Sequence, residues 1–563
     1  MSARARKWLR RLAWLGGGAL ALILAAFLAM YCLMWHWVAQ PPTLPPEAAQ
    51  TAATPQERDG RLWLGRCWLD QREGLPVLYL TGTPYEMGFA NGVLTAKSIQ
   101  RQEEAMMSLL HRFAPWRPVQ FILKFLVTYK NRDLAAGIAP EYQMEMLGMA
   151  RGYPDARPEI GPIYHRILNY HAAQDISYML MNSPLLRRGC TSFGAWGPLT
   201  SGGHLLAGRN FDWEADPVFD QERLVIYCEP KEGIPFISLA WAGMAGCVSG
   251  MNREGLLVCV NGAPSQLPDK AATPTCLAAR DALQHATNIA QATAIIRRQN
   301  VFVSALFLIG SRADGRFVVI EKTPDQTAVR EPESPGSIVC ANHYLTPELR
   351  QTAVNHFYTN ADTSLSRFER LAERLAVAPG TLNPGQCAGV LRDRRLPGGV
   401  DGGNGHRGTL NPLIATHSIV ADLTEGIFWA ATPPHQLGKY VAFDAARPER
   451  LLPERSIGPD PILSNGEYAR WLAAQSALEQ GRRELKQRRF EQAAHDARVA
   501  ETNNPHCYQN AWLLAESLAG LGKTNEALAA CRAAMAGRPA LGGEREKIQA
   551  LLERLSGGPG GSK

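Results

Sequence analysis

The chain has 563 residues, too many for one hydrophobic core, so two to four domains are expected. Hydrophobic residues make up 46% and charged residues 20%, ordinary globular composition, and the net charge of +7 comes partly from an N-terminal basic cluster; no basic stripe with interleaved aromatics points to nucleic acid. The eleven cysteines show no C-x-x-C pair and no zinc-type spacing, so neither a metal nor a cofactor is expected, and their irregular spacing does not suggest a disulfide scaffold.

Residues 1–11 hold Arg4, Arg6, Lys7, Arg10 and Arg11 and read as a cytoplasmic basic tail. Residues 12–38 follow, 27 positions without Asp, Glu, Lys or Arg. A bilayer core of about 30 Å takes roughly 20 helical residues, so this run can span it. A cleaved signal peptide is the rival, but its apolar region is usually about 7–15 residues. This run is longer and ends in Tyr31, Trp35 and Trp37, aromatics of the kind found at membrane interfaces. The expectation is a single-pass anchor, with the rest of the chain on the periplasmic or extracytoplasmic side.

Residues 39–60 carry Pro41, Pro42, Pro45, Pro46 and Pro55 and read as a stiff linker. A globular pattern fills 61–189. Val77–Leu80 reads as a strand, and Gly82–Gly92 opens a helix whose spaced glycines allow close packing. Helical patterns recur near Ala136–Arg151 and Ile163–Met181.

The next stretch organises the chain. Arg188-Gly189-Cys190-Thr191-Ser192-Phe193-Gly194 is followed by Gly208-Arg209-Asn210-Phe211-Asp212-Trp213, at what reads as the end of a β-hairpin. A buried structural role is the usual fate of a cysteine. Cys190 is set apart by its neighbours. A cysteine that becomes a chain terminus carries a nucleophilic thiol and, in its α-amino group, a base with a reference pKa of about 8. Gly189 leaves the preceding peptide bond open to attack. Arg209 can hold a thiolate, and Asp212 can orient an ammonium. These motifs resemble the N-terminal-nucleophile hydrolases, most of all the acyl-coenzyme A:6-aminopenicillanic-acid acyltransferase family, with the choloylglycine hydrolases as more distant cousins. The Gly82–Gly92 segment resembles that family's pro-segment signature. The resemblance implies autoproteolysis between Gly189 and Cys190, with 61–189 retained as a non-covalent pro-segment.

After Cys190 the rhythm changes to short strands, Leu224–Cys228, Phe236–Trp241, Leu256–Val260, Leu306–Ile309, Phe317–Glu321, His417–Asp422 and Gly426–Ala431. Helical patterns interrupt them at Cys276–Ala286, Ile289–Arg298 and Ser364–Val377. The pattern gives an α+β catalytic domain over 190–446; the resemblance implies a four-layer αββα sandwich. Residues 447–467 read as a linker. In 468–556 Gly481 and Ala515, Ala493 and Ala527, Ala500 and Ala534, and Pro505 and Pro539 are each 34 apart. That period resembles the tetratricopeptide repeat and implies an all-α module, separable from catalysis and open to a protein partner. Residues 557–563 form a short tail.

The family pattern asks for three more site residues. Asn261, in a turn–strand–asparagine segment, resembles the oxyanion donor. Asn342, in Cys340-Ala341-Asn342-His343, resembles the second asparagine. Arg367, in Ser366-Arg367-Phe368, resembles the second arginine. With Cys190, Arg209 and Asp212 these complete the expected catalytic set, acting on a small-molecule amide or acyl donor. Phe193, Trp196, Phe211 and Trp213 are candidates for an acyl pocket. Two other readings stand beside this one: a Cys–His thiol hydrolase using His343, His406 or His417, and a catalytically dead domain serving as a membrane-anchored interaction scaffold.

Overall fold

The computed structural model describes residues 3–44, 46, 54–173, 175, 189–214, 216–266, 271–333, 335–377 and 380–557. Part of the 39–60 linker, the end of the helical pattern toward Met181, Arg188 of the junction motif and residues 558–563 lie outside the described residues.

Helix α1 (Ala3–His36) contains the apolar run. Its Ala13–His36 stretch has a mean hydropathy of 2.2 and is almost wholly exposed. By length and composition it fits a membrane span, a property that signal sequences share. Upstream of the junction come α2 (Pro84–Leu94), α3 (Ala96–Phe113), α4 (Arg117–Lys130), α5 (Pro140–Gly152) and α6 (Ile163–His171). The end of α1 rests on α4, with Phe27 on Phe121 at 5.3 Å and Trp37 on Phe125 at 5.6 Å. Another stripe of α4, Val119, Ile122 and Leu126, is exposed, as is Trp116 just before the helix.

Helix α2 starts where Thr83 closes a capping box with Glu86, so two otherwise unpaired backbone N–H groups are satisfied. Its glycines serve close packing. A Cβ on Gly88 would stand 1.8 Å from the Glu145 carbonyl oxygen, and one on Gly148 would stand 2.2 Å from that of Tyr85. Helices α2 and α5 therefore cross backbone to backbone.

The strands run in chain order as β1 (Gln56–Arg58), β2 (Arg61–Leu64), β3 (Cys67–Arg72), β4 (Leu75–Gly82), β5 (Thr191–Ala195) and β6 (Leu206–Asp212). Then come β7 (Arg223–Pro230), β8 (Phe236–Trp241), β9 (Ser249–Asn252), β10 (Leu256–Gly262), β11 (Ala305–Ser311) and β12 (Arg316–Lys322). The last are β13 (Thr327–Arg330), β14 (Ser337–Cys340), β15 (Ala415–Asp422), β16 (Ile427–Ala431) and β17 (Tyr440–Asp444). Among the described residues they form an eleven-stranded sheet, β1-β2-β3-β4-β7-β8-β9-β10-β11-β12-β13, and a six-stranded sheet, β14-β5-β6-β15-β16-β17. The parallel pair β4–β7 joins the upstream strands to those that follow the junction. Every neighbour pair in the six-stranded sheet is antiparallel.

One apolar cluster draws side chains from both sheets, including Val77, Ile237 and Leu308 from the larger and Ala207, Ile419 and Phe428 from the smaller. The larger sheet also packs against Leu283 and Ile296 of the helices Thr275–His285 and Ile289–Arg298. The smaller packs against Leu371 and Leu391 of the helices Ser364–Ala376 and Pro384–Leu391. Strand alternation is invisible in this sequence because both faces of the central strands are buried; β7, β8, β10 and β11 read as apolar runs instead.

Five helices close the chain, Glu467–Lys486, Phe490–Asn503, Tyr508–Gly520, Thr524–Ala536 and Gly542–Leu555. Ala493, Ala500, Ala515, Ala527 and Ala534 are all fully buried, so the small residues at the 34-residue spacing are contact positions. The module also touches the two-sheet body. Trp471 shares an apolar cluster with Leu413 and Leu437, and His406 lies edge-on to Tyr508 at 5.3 Å.

Candidate active site

The hairpin of β5 and β6 sets Thr191 opposite Asn210 and Ser192 opposite Arg209. Cys190 ends the segment before β5 and is fully buried. Arg209 Nη2 lies 3.9 Å from its Sγ. The guanidinium is held over the Phe211 ring at 4.5 Å and donates to Ser249 Oγ at 2.5 Å, to the Val260 carbonyl and to His417 Nε2 at 2.8 Å. An arginine can only donate, so His417 Nε2 must accept and its ring must be neutral. Burial, then the charges of Arg209 and Arg223, push this histidine well below its usual range.

Asp212 ends β6 with its carboxyl fully buried, and neither oxygen has a hydrogen-bond partner among the described residues. Burial raises its pKa to about 7, against the lowering effects of Arg367, Arg407 and Arg209; Glu214 adds to the rise. The Gly189 N–H donates to the Asp212 main-chain carbonyl at 3.3 Å. A Cβ on Gly189 would stand 3.3 Å from Asp212 Oδ2 and 3.4 Å from Arg367 Cζ. The carboxyl therefore lies beside the backbone that precedes Cys190, and a larger side chain at 189 would press into it.

Arg367 reaches the same place from the helix Ser364–Ala376 and is wholly buried. It donates to the Cys190 carbonyl at 2.5 Å, to Thr191 Oγ1 at 3.0 Å and to Asn342 Oδ1 at 2.8 Å. Asn342 in turn donates from Nδ2 to the Gly262 carbonyl at 2.8 Å and from its N–H to Ser364 Oγ at 2.7 Å. Asn261 lies in β10 and accepts from Ser192 Oγ at 3.4 Å. Its Nδ2 donates to the carbonyls of Cys340 at 3.2 Å and Ala341 at 2.9 Å. An oxyanion bound there would displace one of those acceptors.

The structure thus brings Cys190, Arg209, Asp212 and Arg367 together with Gly189, links Asn342 to them through Arg367, and ties Asn261 to the hairpin through Ser192. Among the described residues, none of the three candidate imidazoles is hydrogen-bonded to the Cys190 thiol. His343 Nδ1 meets Ser364 Oγ at 2.8 Å, and burial lowers this ring's pKa to about 4. His406 is held by the Arg538 carbonyl and the Gly408 N–H, and His417 by Arg209 and Ser249.

Sequence reasoning missed Arg407, whose Nη1 lies 2.7 Å from Glu214 Oε2, and the Ser249–His417 pair that fixes Arg209. Glu214, two residues after Asp212, was the available signal for a buried counter-charge. Of the four candidate pocket aromatics, Phe211 and Trp213 line an apolar cavity with Met106, Phe219, Trp241 and Met244. Cys190 packs in the same apolar cluster as Phe211, Trp213 and Trp241. Phe193 instead packs beneath Leu371 and Leu391, and Trp196 against Phe317 at 5.6 Å. Strand alternation divides them: Phe193 points to the helical side of the smaller sheet.

Residues 199–394 match the family model described as acyl-coenzyme A:6-aminopenicillanic acid acyl-transferase. The likeness to that acyltransferase family covers this segment, less than half of the chain. Arg209, Asp212, Asn261, Asn342 and Arg367 fall inside the matched segment, and Gly189 and Cys190 stand just ahead of it. An uncharacterised protein of Archaeoglobus fulgidus is 27% identical over 364 residues, 58% of each chain. The protein dcd1B of Dictyostelium discoideum is 23% identical over 290 residues, 47% of this chain and 54% of that one. The chain therefore spans just over half the length of these curated relatives. Two solved structures resemble it at low overall similarity. The Caenorhabditis elegans N-acylethanolamine-hydrolyzing acid amidase ortholog has a TM-score of 0.32 and 16% identity, over 42% of this chain and 93% of that one. The conjugated bile acid hydrolase of Clostridium perfringens has a TM-score of 0.30 and 14% identity, over 45% of this chain and 92% of that one.

Proposed function

We propose that this chain is a self-processing acyltransferase or amidohydrolase that uses Cys190 as an N-terminal nucleophile. The observation that carries the reading is Asp212. Its buried carboxyl has no hydrogen-bond partner among the described residues and lies beside the Gly189 backbone. Burying a carboxylate without a partner is costly, and an ammonium formed at Cys190 would supply one.

In the first step the Cys190 thiol adds to the Gly189 carbonyl carbon. The Gly189–Cys190 C–N bond breaks, the nitrogen takes the thiol proton, and a thioester remains. Water cleaves that ester, leaving a Gly189 carboxylate and a free thiol and amine on Cys190. In turnover the amine takes the thiol proton and returns it to the leaving group, while the acyl group rests on sulfur. Water then gives hydrolysis and an amine gives transfer. Arg209 holds the thiolate, and Arg367 fixes the Cys190 backbone through its carbonyl. Asn261 is the oxyanion donor in this scheme, a role worth about 3 kcal/mol when well placed. The cavity beyond Phe211 and Trp213 suits an apolar acyl chain.

The same reading keeps residues 61–189 bound after cleavage and stacks the two sheets and their flanking helices as αββα. It takes the tail as tetratricopeptide-like repeats that offer a protein surface. It makes α1 an anchor with the enzyme on the periplasmic or extracytoplasmic side. The exposed apolar stripe of α4 beside α1 supports seating at a bilayer surface. Intact mass measurement and N-terminal sequencing of the wild type and Cys190→Ala test the core of it. The wild type should give a fragment of residues 190–563 and the variant an uncut chain. Identical fragments in both would mean that an outside protease makes the cut.

A further inference from the structure

The loop Asp401–Gly408 lies between the site and the C-terminal helices, and both ends of that relation are specified. On the site side, Arg407 is buried, pairs with Glu214 at 2.7 Å and acts electrostatically on Asp212 and Asp362. On the other side, the adjacent His406 is bonded through both ring nitrogens. A carbonyl can only accept, so His406 Nε2 donates to the Arg538 carbonyl at 2.9 Å, and Nδ1 accepts from the Gly408 N–H at 3.0 Å. Asn504 grips the backbone of Asn404 with both ends of its amide, accepting from the N–H at 2.9 Å and donating to the carbonyl at 2.8 Å. The loop can lie this close because Gly403 and Gly405 have φ of +77° and +82°. A Cβ on Gly403 would stand 2.8 Å from the Pro505 carbonyl oxygen, and one on Gly405 would stand 2.6 Å from Trp471 Nε1.

The other arginines around Asp212 are fixed from within the catalytic domain. Arg367 is committed to the Cys190 carbonyl, Thr191 and Asn342, and Arg209 to Ser249, Val260 and His417. Arg407 is the one whose loop is held by the tail, through Asn404 and the adjacent His406. We propose that Arg407 is a positioning residue for the Asp212 carboxylate and that the C-terminal helices, through this loop, hold it in place. The helical tail is then part of the catalytic unit, and a partner that bends it would alter the site. This rests on the reading above, in which Asp212 orients the amine of a newly formed N-terminal Cys190.

The charged groups that act on Asp212 are Arg367 from its helix, Arg407 from the loop, Glu214 two residues on, and Arg209 on the hairpin. The test uses the full chain as wild type, Arg407→Met, Arg407→Lys and Asn504→Ala. Each processed protein is treated with iodoacetamide from pH 5 to 9, and alkylation of the N-terminal Cys190 is followed by peptide mass spectrometry. Removing a nearby opposite charge should move the Asp212 inflection upward by roughly one pH unit in Arg407→Met. Arg407→Lys should bring the inflection most of the way back. Asn504→Ala, which touches no group of the site, should move it in the same direction as Arg407→Met. An unmoved inflection in Arg407→Met overturns the positioning role, and one in Asn504→Ala overturns the tail's part in it. If Arg407→Met does not fold, Asn504→Ala decides alone. A wild type with no peptide beginning at Cys190 refutes the parent reading instead, and this inference with it.

Discussion

The Asp212 carboxyl makes a prediction about stability that needs no substrate. An aspartate has a reference pKa of about 3.9, and burial raises this one to about 7 in the folded chain. The folded state therefore binds a proton more tightly than the unfolded state. Stability is kept below about pH 4 and is lost as the pH rises toward 7. A tenfold difference in proton affinity between the two states is worth about 1.4 kcal/mol, so the cost at pH 8 is on the order of 4 kcal/mol. The perturbation is Asp212→Asn in a Cys190→Ala background, so that no cut supplies an ammonium. Thermal unfolding of the single and double variants is compared from pH 4 to 8. The double variant should be the more stable at pH 8, and the difference should close toward pH 4. A double variant that is less stable at every pH would show that the arginine charges outweigh burial. Asp212 would then be an ordinary ion-pair partner, and the argument from its missing partner would fall.

Gly189→Val should slow or stop the appearance of the 190–563 fragment, because its added methyls would meet Asp212 and Arg367; densitometry of freshly made chain reads this. Arg367→Lys cannot bridge the Cys190 carbonyl, Thr191 and Asn342 together and should destabilise the fold by roughly 3 kcal/mol, read by denaturant midpoint. Resistance to alkaline carbonate extraction is expected if α1 spans the bilayer, whereas a soluble chain starting between residues 30 and 50 would show a cleaved signal. A chain ended at Pro459 should be poorly soluble, because Leu413 and Leu437 lose Ile462 and Trp471; full solubility would refute the tail's structural role.

The candidate site was legible where the chain itself brings the residues together. Gly189, Cys190, Arg209 and Asp212 lie on or beside one hairpin, whose strands are close in sequence and joined by a glycine-rich crossing. Arg367 and Asn342 carried little local signal. A buried arginine in an amphipathic helix looks like a surface charge until the sheet it caps is known. Arg407 and His417 were out of reach, since their roles depend on a long glycine-rich loop and on the pairing of β15 with β6. In the fold, the long apolar strands and the helices at 275–285, 289–298 and 364–376 matched the pattern closely. Strands β1 to β3 went unseen because charged and polar residues interrupt them. Helix α4 was masked by Pro118 near its start and by aromatics on several faces, one set for α1 and another left bare.

The parallel ladder from Val77–Val225 to Gly82–Pro230 lies inside the larger sheet, yet its two strands come from opposite sides of the junction. A precursor finds this register by folding one chain, where the two strands are tethered and their encounter does not depend on dilution. On the proposed reading, a cut at the junction would leave the same sheet shared by two polypeptides. The contacts are unchanged, but refolding becomes a meeting of two molecules whose rate falls with concentration. Mature protein that unfolds in a dilute compartment would have little chance to reassemble, so its useful life would be set by how slowly it opens rather than by its equilibrium stability. Processing would then be irreversible in a second sense: it discards the chain's ability to repair its own fold, and a long ladder through the middle of the sheet is the kind of structure that makes the loss tolerable.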